Sequence, residues 1–354
     1  MRQTSRRAFG KMAVGAAAAG LLSACGGNRT SAQPTAAPAA PGAAGTAAPQ
    51  AGSTIRVGYV PVLVYSPLFV AQERGYFREA GITVELVPTQ GGSDPVVQLA
   101  AGNFDAAVGG IGAGAFNAAK QGVQFTIVAP MHSERPPLAT KLVIGAKNSE
   151  VIKTVADLKG KKVAINATGA ATEYWLDQAL QKNGLTMQDI DLTTVAFRDV
   201  PAALESGSLD AAMLGEPLVT INVDNGILSV LADDFIDGFT ATYLYMGEPL
   251  LANNAASGGF MRAYLRACRD MQGDYMTPEL AAIIEKYTQV PAAVVQKASL
   301  GQYDPNGTIP LDDLATLQSY FLARGVLEYS ELLDIGSLVN QSLANTAAGE
   351  LGNQ

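Results

Sequence analysis

Histidine, cysteine and tryptophan are scarce in this sequence. Its 354 residues include one histidine, His132, two cysteines, Cys25 and Cys268, and one tryptophan. A single histidine excludes a histidine-rich metal site, and it excludes any Ser-His-Asp triad built elsewhere than around His132. If Cys25 is modified as argued below, Cys268 has no partner within the chain. We therefore expect no disulfide, no metal, no cofactor and no catalytic residues.

Charge is scarce as well. Charged residues make up 16% of the chain, and the formal net charge is −8. Neutralising nucleic-acid phosphates needs clustered lysine and arginine, and the sequence has no basic stripe with interleaved aromatics, so nucleic acid is not expected as a partner. Hydrophobic residues make up 48% of a chain long enough for about two domains.

Long hydrophobic runs are also missing. The apolar run at residues 12–22 is shorter than the ~20 residues that a membrane-spanning helix needs, and no later stretch is a transmembrane candidate. Residues 1–24 are therefore predicted to be a signal peptide, with a twin-arginine-like motif at Ser5–Lys11. Leu22–Cys25 resembles a lipobox, which makes Cys25 the lipidated first residue of the mature chain. An ordinary cleaved signal and the general secretory route are the alternatives.

Residues 25–53 are predicted to be a disordered tether behind this lipid anchor. Alanine, proline, glycine, threonine, serine and glutamine dominate the segment, which carries Arg29 as its one charged residue. Such a composition has little apolar surface to bury in a core. The folded part is therefore expected to be extracytoplasmic and to contact the membrane only through the lipid.

One pattern occurs twice, and it predicts the organisation of the folded part. The pattern L-x-x-G-x-x-D-A-A-x-x-G is found at Leu99–Gly110 and again at Leu204–Gly215. Each copy is typical of a helix end, a glycine stop and a short buried strand. Two copies are too few for a solenoid, so we expect two α/β lobes that face each other across a cleft.

Strands alternate with helices along both halves, which favours mostly parallel sheets with covered faces. The chain is expected to cross into the second lobe at Lys141–Ala146 and to return at Thr240–Met246, and two crossings would make a hinge. The expected boundaries are residues 54–141 and 243–346 for lobe 1, residues 142–242 for lobe 2, and a flexible tail at residues 347–354.

Three local expectations complete this description of the fold. Residues 68–80 are predicted to form one helix that follows Pro67. The strand that begins at Gln124 is expected to end at Ala129, which leaves His132 in a surface loop. The helices within residues 252–345 are expected to pack on lobe 1.

A resemblance to a known family rests on five features. They are Ser66–Phe77 with its P-L-F-V-A-Q-E-R-G-Y-F run, the following Ala80–Leu86, the pair Gly91-Gly92, the repeated L-x-x-G-x-x-D-A-A, and Glu216-Pro217. In this order they resemble the extracytoplasmic solute-binding proteins of ABC importers, in the group for thiamine precursors, riboflavin, sulfonates and nitrate. The resemblance implies a type II periplasmic-binding-protein-like fold. It also implies a small-molecule solute as ligand, and a permease with its ATPase as partners.

The ligand-binding candidates come from the loops that follow the strands. In an open α/β sheet, ligands bind outside the carboxyl ends of the strands, where loops turn into helix N-termini. A structural role, as a capping turn or a core residue, is the alternative for every one of these residues. The candidates are Tyr65, Ser66, Gly91, Gly92, Ser93, Gly110, Ile111, Asn166, Thr168, Gly169, Thr172, Tyr174, Trp175 and Glu216.

Few lysines or arginines fall on these loops, which favours a neutral, hydrogen-bonding heterocycle such as a vitamin or its precursor. A sulfonate or nitrate anion is the alternative, because helix N-termini hold anions and Arg198 is near one of the loops. The alternative of another class is an enzyme similar to the family's thiamine-pyrimidine synthases. Their cysteine-rich iron-site motif is missing here, and Glu173 and Glu216 have no orienting histidine or nucleophile beside them.

Overall fold

The structure, a computed structural model, describes residues 54–89 and 95–352, all of which belong to one compact unit, Thr46–Gln354. The predicted signal peptide, Cys25 and the tether lie outside the described residues. The strands are β1 (Thr54–Tyr59), β2 (Thr83–Pro88), β3 (Ala106–Gly110), β4 (Thr126–Glu134), β5 (Thr140–Gly145), β6 (Lys162–Ile165), β7 (Asp191–Thr194), β8 (Ala211–Gly215), β9 (Leu228–Ala232) and β10 (Phe239–Met246).

Helices cover the strands and form most of the C-terminal third. None of the described helices is long and apolar enough to cross a lipid bilayer. The helices are α1 (Ser66–Glu73), α2 (Tyr76–Glu79), α3 (Pro95–Ala100), α4 (Ala113–Lys120), α5 (Ala171–Lys182), α6 (Val200–Ser206), α7 (Leu218–Asp224), α8 (Glu248–Leu251), α9 (Asn254–Asp270), α10 (Pro278–Thr288), α11 (Ala292–Val295), α12 (Leu311–Ala323) and α13 (Gln341–Leu351).

The strands form two five-stranded sheets of the same design. The first sheet has the order β2-β1-β3-β10-β4, and the second has the order β7-β6-β8-β5-β9. In each sheet the first three strands are parallel, and the fourth strand is antiparallel to the third. The chain enters this fourth strand directly after leaving the other sheet. We call the second sheet with its helices, residues 140–232, lobe 2, and the remaining described residues, apart from helix α12, lobe 1. The expected class of two mostly parallel α/β lobes is confirmed.

Two short segments, residues 135–139 and 233–238, carry the chain between the lobes. The two segments lie side by side and are joined by a hydrogen bond of 2.9 Å from Leu138 N–H to the carbonyl of Asp233. The crossings expected from the sequence, at residues 141–146 and 240–246, are wrong by a few residues. Both stretches belong to strands, β5 and β10, that are almost entirely buried in the sheet which the chain enters. Two adjacent crossings of this kind form a hinge.

The repeated motif performs the same task in each lobe. In lobe 1 the Asp105 carboxylate accepts the N–H of Arg56 at 2.8 Å, and in lobe 2 the Asp210 carboxylate accepts the N–H of Lys162 at 2.9 Å. The glycine three residues before each aspartate ends the preceding helical stretch in the left-handed conformation, with φ of +72° at Gly102 and +76° at Gly207. Each aspartate therefore fixes the start of its strand to the neighbouring strand.

Replacing either aspartate by alanine should lower the free energy of unfolding by about 1 kcal/mol, because each substitution removes one hydrogen bond between strands. Chemical denaturation of Asp105→Ala and Asp210→Ala would measure it. Asp237→Ala is the control, since Asp237 is exposed and makes no such bond in the described residues. Equal stability of all three variants would contradict the assigned role.

Two large hydrophobic clusters stabilise the molecule. One lies between the sheet of lobe 1 and helices α1 and α9, and includes Phe69 and Phe260. The other runs through both lobes and includes Phe116 of α4, Trp175 of α5 and Phe321 of α12. Helices α9, α10 and α13 pack on lobe 1 as expected, but α12 contacts α4 of lobe 1 and α5 of lobe 2. Helix α12 is therefore a bridge between the lobes.

Two further expectations need correction. The predicted helix at residues 68–80 is two helices, because Gly75 adopts a φ of +76° between α1 and α2. The predicted flexible tail is wrong up to Leu351, because α13 extends to that residue. Ala347 is buried within the core of lobe 1, and Arg269 Nη1 donates to the carbonyl of Gly352 at 2.7 Å.

Candidate functional site

Loops at the carboxyl ends of the central strands face each other across the two lobes. The loop after β3 in lobe 1 meets the loop after β6 in lobe 2 through a hydrogen bond of 2.8 Å from Ala113 N–H, at the start of α4, to the carbonyl oxygen of Gly169. Glu216, after β8, accepts the N–H of Ser299 in lobe 1 at 3.5 Å. Three candidates of the sequence analysis, Gly91, Gly92 and Ser93, lie outside the described residues.

The loop after β1 is packed inward rather than spread open. Ser66 is buried, and its hydroxyl donates to the carbonyl of Leu63. The ring of Tyr65 is also buried, and this burial raises the pKa of its phenol. Its hydroxyl has no hydrogen bond within the described residues. The structure thus gives Ser66 a structural partner and leaves the hydroxyl of Tyr65 available.

The loop after β3 meets lobe 2 through backbone. Gly110 is exposed, whereas Ile111 is fully buried and donates its N–H to the carbonyl of Ala241 at 2.9 Å. A Cβ atom on Gly112 would lie 2.7 Å from the carbonyl oxygen of Gly169. Only glycine at position 112 allows the two loops to approach this closely.

The loop after β6, residues 166–172, is the lobe 2 side of this contact. Thr168 is exposed, and no hydrogen bond occupies its hydroxyl within the described residues. The Thr172 hydroxyl is buried and donates to the side-chain oxygen of Asn166, so the Asn166 amide N–H₂ group remains available. Gly169 has a φ of +72° and its N–H points back into the loop. The rim therefore presents Asn166 and Thr168 as side-chain hydrogen-bonding groups.

A buried carboxylate holds this loop in place. The Glu173 side chain is fully buried. One of its oxygens accepts Gly169 N–H at 2.8 Å, and the other lies 2.9 Å from Nε of Arg324. Arg324 follows directly after α12, and Tyr320 on the same helix donates its hydroxyl to the carbonyl of Glu173 at 3.2 Å. Both acceptor oxygens of Glu173 are thus occupied by structural partners.

The two aromatic candidates that follow lie in the first turns of α5. Tyr174 is half-buried, with its ring 5.1 Å from the ring of Phe239 and 5.1 Å from that of Tyr320. Trp175 is 5% exposed in the cluster that spans both lobes, and its Nε1 has no hydrogen bond within the described residues. Trp175 is thus a core residue, and Tyr174 packs against the same cluster, which is the structural alternative stated above for both.

Glu216 follows β8 and is almost fully buried beside the hinge. Its carboxylate lies 3.4 Å from Nζ of Lys141, accepts Thr220 N–H at 3.0 Å and accepts Ser299 N–H at 3.5 Å. Lys141 is itself only 9% exposed. Removing one partner of a buried ion pair leaves an uncompensated charge, so a Glu216 variant would change stability as well as any ligand contact.

His132 is buried, and the expectation of a surface loop is wrong. Strand β4 continues through Glu134 and pairs with β10, and Ser133 bridges to Gln302 on the other side. His132 Nδ1 lies 2.6 Å from the hydroxyl of Thr242, and Nε2 lies 3.6 Å from Glu134. The Glu134 carboxylate accepts the backbone N–H groups of residues 139 and 140 at 2.8 and 3.1 Å. This polar cluster supports the first crossing.

A cavity of about 330 Å³ lies beside the same crossing. None of the sequence candidates lines it. Its walls come from three segments that are far apart in the chain: residues 135–137, the residues after α9, and residues 297–303. No sequence motif includes all three segments, so the sequence could not predict the cavity. Its lining includes Arg135, Pro137, Tyr275, Lys297, Gln302 and Tyr303.

The residues that hold Glu216 and Glu173 in place were not among the candidates predicted from the sequence. Lys141 and Ser299 contact Glu216, and Tyr320 and Arg324 contact Glu173. The spacing of four residues puts Tyr320 and Arg324 on one helix face. The spacing could therefore have predicted that the two side chains lie on one face of a helix. It could not predict that this face contacts Glu173.

Comparison with known proteins agrees with this architecture. Residues 48–285 match the NMT1-like family. The chain belongs to this family. Among its relatives, a putative aliphatic sulfonates-binding protein of Escherichia coli K12 is 31% identical over 191 residues, covering 52% of this chain and 57% of that protein. The riboflavin-binding protein RibY of Chloroflexus aurantiacus is 26% identical over 247 residues, covering 66% of this chain and 68% of that protein.

Solved structures show the same fold for this NMT1-like chain. The periplasmic nitrate-binding protein NrtA of Synechocystis PCC 6803 superposes with a TM-score of 0.70 at 16% identity, covering 85% of this chain and 89% of that one. The chain spans only 57% of the length of the Escherichia coli relative. The family resemblance and the periplasmic-binding-protein fold stated from the sequence are confirmed.

A relative named as an enzyme is also similar to this chain. The 4-amino-5-hydroxymethyl-2-methylpyrimidine phosphate synthase of Aspergillus parasiticus is 25% identical over 240 residues, covering 64% of this chain and 67% of that protein. Relatives of this chain are therefore named both as binding proteins and as an enzyme.

Proposed function

We propose that this chain is the solute-binding protein of an ABC importer. The observation that carries the proposal is the pair of facing rims, Gly110–Gly112 in lobe 1 and residues 166–172 in lobe 2, beside a two-segment hinge. A solute that contacts both rims stabilises the closed arrangement by its differential affinity for the two states. The closed protein then delivers the solute to a permease and its ATPase. Membership in the NMT1-like family supports the same role.

We propose a neutral heterocycle, of the riboflavin or thiamine-pyrimidine type, as the ligand. The positively charged side chains near the described rims already have acidic partners. Nζ of Lys141 lies 3.4 Å from Glu216, and Nε of Arg324 lies 2.9 Å from Glu173. Arg198 is exposed, 3.7 Å from its neighbour Asp199. An uncharged solute with ring nitrogens and carbonyls fits the hydrogen-bonding groups that remain on the rim, and the riboflavin-binding relative supports this choice.

A sulfonate or nitrate-type anion is the second candidate. It is favoured by helix α5, whose N-terminus lies at the end of the 166–172 loop, because the free N–H groups of a helix start attract anions. The sulfonate-binding and nitrate-binding relatives support it. The proposed role in import is the same for both ligand classes.

Binding rather than catalysis is supported by the state of the reactive groups. Burial raises the pKa of the Cys268 thiol to about 12, so this thiol is not a nucleophile at neutral pH. Glu173 is held by Arg324 and Gly169 rather than free to exchange protons with a substrate. We therefore propose that the chain is not an enzyme. Chemical conversion of a bound solute by the purified protein would contradict this.

The proposed location is outside the cytoplasm, on a lipid anchor at Cys25. The lipobox-like Leu22–Cys25, the basic residues before it and the polar tether behind it support this location. The twin-arginine-like motif supports export in the folded state. Globomycin-sensitive maturation of the full-length protein, followed by mass spectrometry of its N-terminus, would test the anchor.

A ligand titration tests the proposed function. Purified protein would be mixed with riboflavin, thiamine, its aminopyrimidine precursors, taurine, an alkanesulfonate and nitrate, and followed by Trp175 fluorescence and thermal melting. A ligand at 100 times its dissociation constant should add about 2.7 kcal/mol of stability. Stabilisation by a heterocycle alone supports the proposal, and stabilisation by the anions alone would favour the second candidate. Absence of any shift would leave the binding role without support.

Thr168→Ala should weaken binding of the stabilising compound about 2- to 10-fold, because it removes one hydrogen-bonding group from the rim. The melting temperature without ligand should stay unchanged, since Thr168 is exposed. Thr308→Ala is the matched control, because Thr308 is an exposed threonine of lobe 1 far from the rims in the chain. Isothermal titration calorimetry would measure both, and equal affinities would remove Thr168 from the site.

A further inference from the structure

Helix α12 and the residues after it are attached firmly to lobe 1. The Asn117 side chain of α4 donates to the carbonyl of Val326 at 3.3 Å and accepts Glu328 N–H at 2.9 Å. Gln121, one turn further along α4, donates to the Glu328 carboxylate at 2.8 Å. These three bonds place the C-terminal end of α12 in a fixed position against the first lobe.

The same end of α12 reaches the ligand-binding loop of lobe 2. Arg324 Nε lies 2.9 Å from the Glu173 carboxylate, the Tyr320 hydroxyl donates to the Glu173 carbonyl, and the Tyr320 ring lies 5.1 Å from that of Tyr174. The other Glu173 oxygen accepts Gly169 N–H. A single buried carboxylate therefore joins a helix held by lobe 1 to the loop that forms the rim of lobe 2.

The connection ends at the contact between the lobes. Gly169, whose N–H is held by Glu173, uses its carbonyl to accept Ala113 N–H of lobe 1. A fully buried carboxylate is costly unless its oxygens are paired. Loss of Arg324 would therefore disturb Glu173, then the Gly169 N–H, and then the side of the loop that meets lobe 1.

We propose that Arg324 and Glu173 are positioning residues that hold the 166–172 loop in its ligand-binding form. Neither residue needs to touch the solute. Arg324 fixes the Glu173 carboxylate, Glu173 fixes Gly169, and Gly169 meets α4 across the cleft. The consequence for solute affinity rests on the proposed binding function, whereas the coupling of α12 to the loop does not.

Hydrogen exchange of the full chain tests this coupling without any ligand. In Arg324→Gln, exchange of amides within residues 166–172 should become about 10- to 100-fold faster, because a charge-assisted bond that protects the loop is lost. Arg324→Lys keeps the cation and should restore part of the protection. Arg262→Gln is the matched control. Arg262 is about as exposed as Arg324, 33% against 30%, and its ion pair with Glu350 lies within lobe 1.

The control should leave the exchange of the 166–172 loop unchanged. Unchanged exchange in Arg324→Gln, or an equal increase in Arg262→Gln, would overturn the proposal. With riboflavin and an aminopyrimidine as probes, Arg324→Gln should also weaken whichever compound the unmodified protein binds by about tenfold. If the unmodified protein binds neither probe, only the proposed ligand fails, and the exchange result still decides the role of Arg324 and Glu173.

Discussion

Replacing Phe321 by alanine is expected to lower the free energy of unfolding by about 3–5 kcal/mol, the range for removing a fully buried aromatic ring. Phe321 lies on α12 with its ring 6.4 Å from that of Phe116 and 5.7 Å from that of Tyr320. These residues belong to the cluster that runs through both lobes. Urea denaturation followed by circular dichroism would measure the loss, and the variant should also loosen α12 from both lobes.

Phe260→Ala separates the two consequences. Phe260 is also fully buried, but it packs against Phe77 in the cluster confined to lobe 1, with ring centroids 4.9 Å apart. The Phe260→Ala substitution should lower the free energy of unfolding by a similar amount and leave hydrogen exchange of residues 166–172 unchanged. Phe321→Ala should change both quantities. If the two variants behave alike in that loop, α12 is a packing element of the fold and not a bridge between the lobes.

The repeated motif explains why so much of the fold could be predicted from the sequence. Asp105 and Asp210 occur in the same local pattern, and each fixes its strand to the neighbouring parallel strand, β1 in one sheet and β6 in the other. Because such a pattern spans only a few consecutive residues, it can be recognised in a single sequence. His132 shows the limit of the same reasoning, because its burial depends on pairing with β10, a strand about a hundred residues away.

The candidate site could be predicted only in part, for a related reason. The rule that ligands bind at the carboxyl ends of strands selects Gly110, Asn166 and Thr168, which the structure places on the facing rims. It does not reveal what holds the rims in position. Arg324 reaches Glu173 through tertiary packing of α12, and the sequence around Arg324 contains no sign of this contact.

Gly112→Ala is expected to weaken solute binding by about 10- to 100-fold, equivalent to losing one or two good hydrogen bonds. The backbone of Gly112 has a φ of −127°, which any residue adopts, so the substitution introduces no backbone strain. Its new Cβ would instead lie 2.7 Å from the carbonyl oxygen of Gly169. We expect the two loops, and the lobes that carry them, to move apart to relieve that clash, so that the bond from Ala113 N–H to Gly169 is lost.

Small-angle scattering without ligand would detect this separation as a larger radius of gyration, and calorimetry would measure the affinity. The hinge lets the lobes open instead of unfolding, so the melting temperature should change little. Gly349→Ala is the control, because a Cβ there meets nothing within 4 Å and the helix α13 should gain about 0.5–1 kcal/mol. A Gly112→Ala protein as compact and as tight in binding as the control would show that closure does not use the contact between Ala113 and Gly169. The facing rims would then lose their place as the solute site.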